Sequence, residues 1–129
     1  RGDKVLINGA GGSIGTFAVQ IAKYRGAHVT AVDSTEKLDL LRTLGADQVI
    51  DYTREDFTKS NEIYDVIFDV IGKASVSRGL RLLTPHGRYL IANPPMLQRG
   101  RVRRAAQRSG KQVTLWAART ARKIRRRAK

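Results

Sequence analysis

The chain has 129 residues, no cysteine, 41% hydrophobic residues and a formal net charge of +14. That length fits one domain with a real core. The lack of cysteine excludes a disulfide framework and makes a reducing, cytoplasmic setting the expectation. No apolar run is long enough to span a bilayer and no signal peptide is visible, so no membrane partner is expected.

The first strand covers residues 5–7 and runs into a glycine-rich turn. Ile14, Phe17, Ala18, Ile21 and Ala22 follow at helical spacing, and Gly26 is a natural left-handed stop for that helix. A second strand at 28–32 closes on Asp33. Ser34 or Thr35 can cap the next helix, whose stripe is Leu38, Leu41 and Leu44 and whose end is Gly45. A short strand at 48–50 precedes an acidic stretch, 53–62, that reads as a surface turn or short helix. Residues 64–71 form a strongly apolar strand, and 75–83 a helix with Val76, Leu80 and Leu83 on one face. Pro85, His86 and Gly87 make a turn into the last clear strand, 88–92. Residues 113–116 are a candidate sixth strand, and 117–129 a basic helix or disordered tail. Strand and helix alternate throughout with nearly continuous apolar strands. The predicted fold is therefore α/β: a doubly wound parallel sheet of the Rossmann type, in three layers α/β/α. The domain reading is 1–95 for this unit and 96–129 for a basic C-terminal extension.

The charge is unevenly spread. Residues 1–69 hold all 11 acidic side chains and 8 basic ones, whereas 70–129 hold 17 basic and no acidic side chains. Thirteen of those basic residues lie in 99–129. Such a stretch can neutralise phosphates, which makes a nucleic-acid or anionic-surface module the rival reading. Against it, Trp116 is the only aromatic residue after Tyr89 and no recognition motif appears. A solvated basic extension is the favoured reading of the tail.

The glycine-rich turn carries the most chemistry. The G-x-G-x-x-G pattern fits best as Ala10-x-Gly12-x-x-Gly15. Strand, turn and helix in this order grip a dinucleotide pyrophosphate: backbone N–H groups close on phosphate oxygens, and the positive end of the helix dipole attracts their charge. Asp33 follows about 20 residues on, at the end of the second strand, as a ribose-binding carboxylate requires. The alternative is an α/β turn that binds nothing. No acid/base pair stands out. His28 and His86 read as ordinary surface histidines, and a zinc site made by this chain alone is not expected. No catalytic residue is assigned.

The stretch Gly2-Asp-Lys-Val-Leu-Ile-Asn-Gly-Ala-Gly-Gly-Ser-Ile-Gly15 with Ala18-Val-Gln-Ile-Ala-Lys23 resembles the medium-chain dehydrogenase/reductase superfamily. The zinc-independent, quinone-oxidoreductase-like branch is the nearest match. Leu44-Gly-Ala-Asp-Gln-Val-Ile-Asp-Tyr52, Tyr64-Asp-Val-Ile-Phe-Asp-Val-Ile-Gly72 and Gly87-Arg-Tyr-Leu-Ile91 continue the likeness in order, over about residues 2–94. The resemblance implies most of the cofactor domain of an oxidoreductase that moves hydride between NAD(P)H and a quinone, carbonyl or alcohol substrate. The chain then reads as a piece of a longer enzyme, inactive by itself. It implies strand order 3-2-1-4-5-6 and a homodimer paired through the sixth strand. Gly11, Gly12, Ser13 and Ile14 would offer N–H groups to the pyrophosphate. Lys37 and Tyr52 align with positions that meet a 2′-phosphate, while Asp33 would favour a free 2′-hydroxyl. NADP(H) is favoured over NAD(H), with the choice left open. Lys37 also reads as a solvated helix lysine, and Tyr52 as a half-buried surface aromatic. Val70, Ala92 and Asn93 lie at strand ends that border the rest of the dinucleotide. Asp69 reads as a strand-end cap.

Overall fold

The computed structural model describes residues 2–71, 76–92, 104, 107, 108 and 110–116. In chain order the elements are β1 (Lys4–Asn8), α1 (Ser13–Tyr24), β2 (His28–Asp33), a 3-10 turn (Thr35–Lys37), α2 (Leu38–Thr43), β3 (Gln48–Asp51), a second 3-10 turn (Phe57–Lys59), β4 (Tyr64–Asp69), α3 (Val76–Leu80), β5 (Leu83–Ala92) and β6 (Gln112–Trp116). The six strands form one sheet in the order β3-β2-β1-β4-β5-β6, parallel at every pairing.

The chain winds outward from β1 to β3, then returns to the other side of β1 for β4, β5 and β6. Crossovers of one hand therefore place the connections of the first half, α1 and α2, on one face of the sheet and those that follow β3 on the other. On one face Ile7, Val29 and Ala31 pack against Val19, Ala18 and Ala22 of α1 and Leu38 and Leu41 of α2. On the other, Leu6, Val32, Ile67, Tyr89 and Ile91 gather with Leu80 of α3 and Phe57 of the second 3-10 turn. The winding direction reverses between β1 and β4, and the crevice at their carboxyl ends is where open α/β sheets take ligands.

The apolar stripe read along the first helix divides by size. Gly15 and Val19 are buried, and Ala18 and Ala22 are partly so, whereas Ile14, Phe17, Ile21 and Tyr24 are 39%, 67%, 59% and 91% exposed. Gly15 presses the start of α1 on the Gly9–Ala10 turn, where a Cβ would lie 2.3 Å from the Gly9 carbonyl oxygen, and the face with Ala18, Val19 and Ala22 follows it inward. On the flank toward β3, Lys23 Nζ bonds Asp47 Oδ2 at 2.9 Å and the Ala27 carbonyl at 3.2 Å. Gly26 takes φ 84° just after the helix, the left-handed stop expected there.

Several boundaries differ from expectation. Ser34 caps the first 3-10 turn through its carbonyl, which accepts from Lys37 N–H at 3.0 Å, without a side-chain bond. β3 extends to Asp51, and β4 stops at Asp69. The acidic stretch is anchored by Phe57, 6% exposed, in a turn capped by Asp56 through Thr58. The helix expected over 75–83 ends at Leu80, and Leu83 opens β5 instead. Two contacts explain the early stop: Tyr64 N–H takes the Leu82 carbonyl at 2.6 Å, and Lys111 Nζ binds the Leu80 and Leu83 carbonyls at 2.5 and 3.0 Å. On the Leu80 carbonyl, the last of α3, the cation satisfies a helix-end acceptor and complements the helix dipole. The expected turn at Pro85, His86 and Gly87 lies within β5 as a bulge, since Tyr64 pairs Leu83 while Val66 pairs Arg88. A bulge is where a strand tolerates a proline that has no N–H to give. The reading of 117–129 as a basic helix lies outside the described residues.

Candidate functional site

The turn after β1 is built by glycines with separate duties. Gly9 and Ala10 both donate N–H to the Val32 carbonyl, at 2.8 and 3.1 Å, which ties the turn to β2. Gly9 holds φ 87°, and a Cβ there would lie 2.7 Å from Ile71 Cγ1. The left-handed residue of the turn is thus Gly9, one place before the fingerprint, while Ala10 is fully buried. A Cβ on Gly15 would sit 2.3 Å from the Gly9 carbonyl oxygen, so Gly15 is what allows α1 to press on the turn. Gly12 is the N-cap of α1 at φ −82° and ψ 178°, with no side-chain cap bond, and the nearest atom to a Cβ there would be 3.8 Å away. Ser13 and Ile14 follow it in the exposed first turn.

Gly11, Asp33 and Lys37 meet beside this turn. Gly11 N–H donates to Asp33 Oδ2 at 2.7 Å, and Ser34 N–H donates to Asp33 Oδ1 at 2.7 Å. The Gly11 N–H, expected to face a pyrophosphate, is therefore committed to the carboxylate next door. Gly11 also makes space: a Cβ would lie 2.8 Å from both Asp33 Oδ2 and the Lys37 stem. Tyr52, 51% exposed, joins the group through its N–H on the Asp33 carbonyl at 3.1 Å. The structure thus brings the glycine turn, Asp33, Lys37 and Tyr52 to one edge of the sheet. Asp51, 8% exposed, lies behind them, and sequence reasoning missed it. Its signal was present as an Asp-x-Thr turn, in which Thr53 N–H and Oγ1 donate to Asp51 Oδ1 at 2.9 and 2.6 Å.

At the crevice between β1 and β4, Asn8 Nδ2 donates to Asp69 Oδ1 at 3.1 Å within the buried interior. Asp69 is 1% exposed, and Tyr89 stands near it; burial first, then the Asp69 carboxylate, raise the phenol well above its ordinary pKa. Val70 N–H bonds the Asn8 carbonyl at 2.9 Å, and Val70 packs beside Gly9. Ala92 is buried at the end of β5, a strand removed from this crevice, and Asn93 falls outside the described residues. His86 is exposed, but His28 departs from a surface role: it is partly buried, and its Nδ1 has no hydrogen-bond partner among the described residues. Among the described residues no group of three or more His, Cys, Asp or Glu side chains gathers as a metal site, and no helix is long and apolar enough to cross a membrane.

A family model described as zinc-binding dehydrogenase matches residues 13–114. The chain belongs to the zinc-binding dehydrogenase family. This member is 46% identical over 86 residues to the mouse NAD(P)H oxidoreductase RTN4IP1, mitochondrial, an alignment covering 64% of this chain and 22% of that one. It is 50% identical over 70 residues to an NADPH-dependent alkenal/one oxidoreductase, chloroplastic, of Arabidopsis thaliana, covering 53% of this chain and 18% of the relative. The quinone oxidoreductase structure from Coxiella burnetii superposes with a TM-score of 0.79 at 29% identity, over 89% of this chain and 36% of that one. The chain thus spans about a fifth of the length of these curated relatives. Their organelle names lend no support to the cytoplasmic setting expected from composition.

Proposed function

We propose that this member of the zinc-binding dehydrogenase family is the NADP(H)-binding part of an oxidoreductase that moves hydride between the nicotinamide and a small quinone, carbonyl or alcohol. The observation that carries the reading is the clear space outside Gly12. With no side-chain cap and, among the described residues, no atom crowding its outer face, the first turn of α1 leaves its amides and its dipole open to a pyrophosphate. Ser13 and Ile14 would hold that group, joined by Gly12 if its long 3.4 Å bond to the Gly9 carbonyl gives way, with Gly15 and Ala10 fixing the turn behind them. The cofactor supplies the hydride chemistry, and this chain supplies position and charge.

The preference for NADP(H) rests on Lys37. Both oxygens of Asp33 already accept backbone N–H groups, so they are committed to the loop rather than free for a ribose hydroxyl, whereas Lys37 is exposed beside it. The name of the Arabidopsis relative points the same way. The second reading, NAD(H), draws on the same Asp33 carboxylate at the ribose edge. Calorimetric titration decides between them. Lys37→Ala is expected to weaken NADPH binding about tenfold, or about 1.4 kcal/mol, and to leave NADH unchanged; equal affinities in both proteins would contradict the assignment. A homodimer joined along the outer edge of β6 fits the strand order. The substrate pocket would come from polypeptide outside this stretch, so the chain alone should bind cofactor without reducing a quinone.

A further inference from the structure

Asp51 ends β3, directly before Tyr52, and is itself assigned to neither the pyrophosphate turn nor the ribose edge. Its carboxylate nevertheless joins the two loops that carry Lys37 and Tyr52. Thr35 Oγ1, in the 3-10 turn after β2, donates to Asp51 Oδ2. Thr53 N–H and Oγ1, in the loop after β3, donate to Asp51 Oδ1 at 2.9 and 2.6 Å, and Arg54 Nε lies 3.8 Å from Oδ2. Thr35, Glu36, Lys37, Tyr52, Thr53 and Arg54 are all exposed, while only 9% of the Asp51 side chain is. Of these groups, Asp51 is the one buried anchor. The Thr35 hydroxyl first, then the Thr53 hydroxyl, hold the carboxyl below its ordinary pKa, which keeps it an acceptor at neutral pH.

We infer that Asp51 is a positioning residue for cofactor choice, locking the two loops so that Lys37 and Tyr52 stand ready for a 2′-phosphate. The inference rests on the proposed assignment of Lys37 to that group. Its physical basis is preorganisation: loops already tied together lose less freedom when the ligand binds. Simple electrostatics has the opposite sign. A carboxylate near a phosphate repels it, so if charge alone mattered, removing Asp51 would tighten NADPH binding.

The test is calorimetric titration of the 129-residue chain and its variants with NADPH and with NADH. Asp51→Ala, which loses every side-chain bond, is expected to weaken NADPH about tenfold and to change NADH less than twofold. Asp51→Asn keeps an acceptor for Thr53 and a donor for Thr35, and should restore NADPH binding to the wild-type level or better. Thr35→Val severs the Thr35 hydroxyl's bond to Asp51 and its 3.5 Å contact with the Thr53 hydroxyl, leaves the Thr53 bonds to Asp51 in place, and should weaken NADPH several-fold, which keeps the test open if Asp51→Ala fails to fold. Unchanged or tighter NADPH binding in both Asp51→Ala and Thr35→Val would overturn the inference, as would an equal loss for both cofactors. Loss of NADPH binding in Lys37→Ala alone would overturn only the role of Asp51. No effect of Lys37→Ala would overturn the 2′-phosphate assignment itself, and the role of Asp51 with it.

Discussion

Gly12 and Gly15 are three residues apart, and the chemistry asks different things of them. Gly15 exists for packing: a methyl group there would press within 2.3 Å of the Gly9 carbonyl and 2.6 Å of Ala10 Cα, both backbone atoms that cannot step aside. Gly15→Ala should therefore cost about 1–3 kcal/mol, the usual penalty for overpacking, read as a lower urea midpoint. Gly12→Ala meets no atom closer than 3.8 Å and needs no left-handed backbone, so its midpoint should stay near wild type. If the two variants were equally stable, the close approach of α1 would be wrong. The fingerprint itself was legible from spacing. Two facts were not: that Gly9 bears the left-handed φ, and that Gly11 N–H is spent on Asp33. Both depend on where β2 brings Val32 and Asp33, across more than 20 residues of chain.

At the level of elements, hydrophobic spacing located every strand of the sheet's first half, because buried parallel strands are apolar on both faces. Spacing told less about which helical residues face inward. Periodicity marks a stripe but not the depth to which a helix sinks, and at α1 the contact with Gly9 and Ala10 selects small residues for the interior. Leu41 on α2 is fully buried and Phe17 on α1 is 67% exposed. Leu41→Ala should thus cost about 2–5 kcal/mol, whereas Phe17→Ala should stay within about 0.5 kcal/mol, both measured by urea unfolding. A larger loss for Phe17 would mean that α1 is turned differently. The end of α3 was hidden from the sequence for a related reason. Val76, Leu80 and Leu83 keep helical spacing, but the pull of Tyr64 N–H on the Leu82 carbonyl draws the chain into β5 after Leu80. The long-range bond outweighs the local pattern.

Over the whole molecule, charge decides the response to pH. The Lys23 ammonium first, then Val29 N–H, lowers the Asp47 pKa, and Thr58 does the same for Asp56. Groups whose folded pKa lies below the unfolded value of about 3.9 add stability that is present above that value and lost as pH falls through the folded one. Lys4, raised chiefly by its hydrogen bond to Glu62, behaves in reverse: its contribution is complete below the unfolded lysine pKa of about 10.4 and fades as pH rises beyond it. Urea midpoints should form a plateau near neutrality with a fall below about pH 4. Lys23→Met should lower the plateau and flatten the acid limb; an unchanged limb would remove Asp47 from the account. The excess of basic residues after residue 70 adds repulsion that salt should relieve.

The central claim is that the open first turn of α1 receives a dinucleotide pyrophosphate, and a single pair of titrations tests it most directly. Aspartate is a favourable N-cap, so Gly12→Asp should leave the fold at least as stable while placing a negative charge where the phosphates belong. The wild-type chain is predicted to bind NADPH saturably, more weakly at higher salt, and Gly12→Asp to show no binding while remaining folded by circular dichroism. A folded wild-type chain that binds neither NADPH nor NADH, or a Gly12→Asp variant that binds as tightly as wild type, would contradict it.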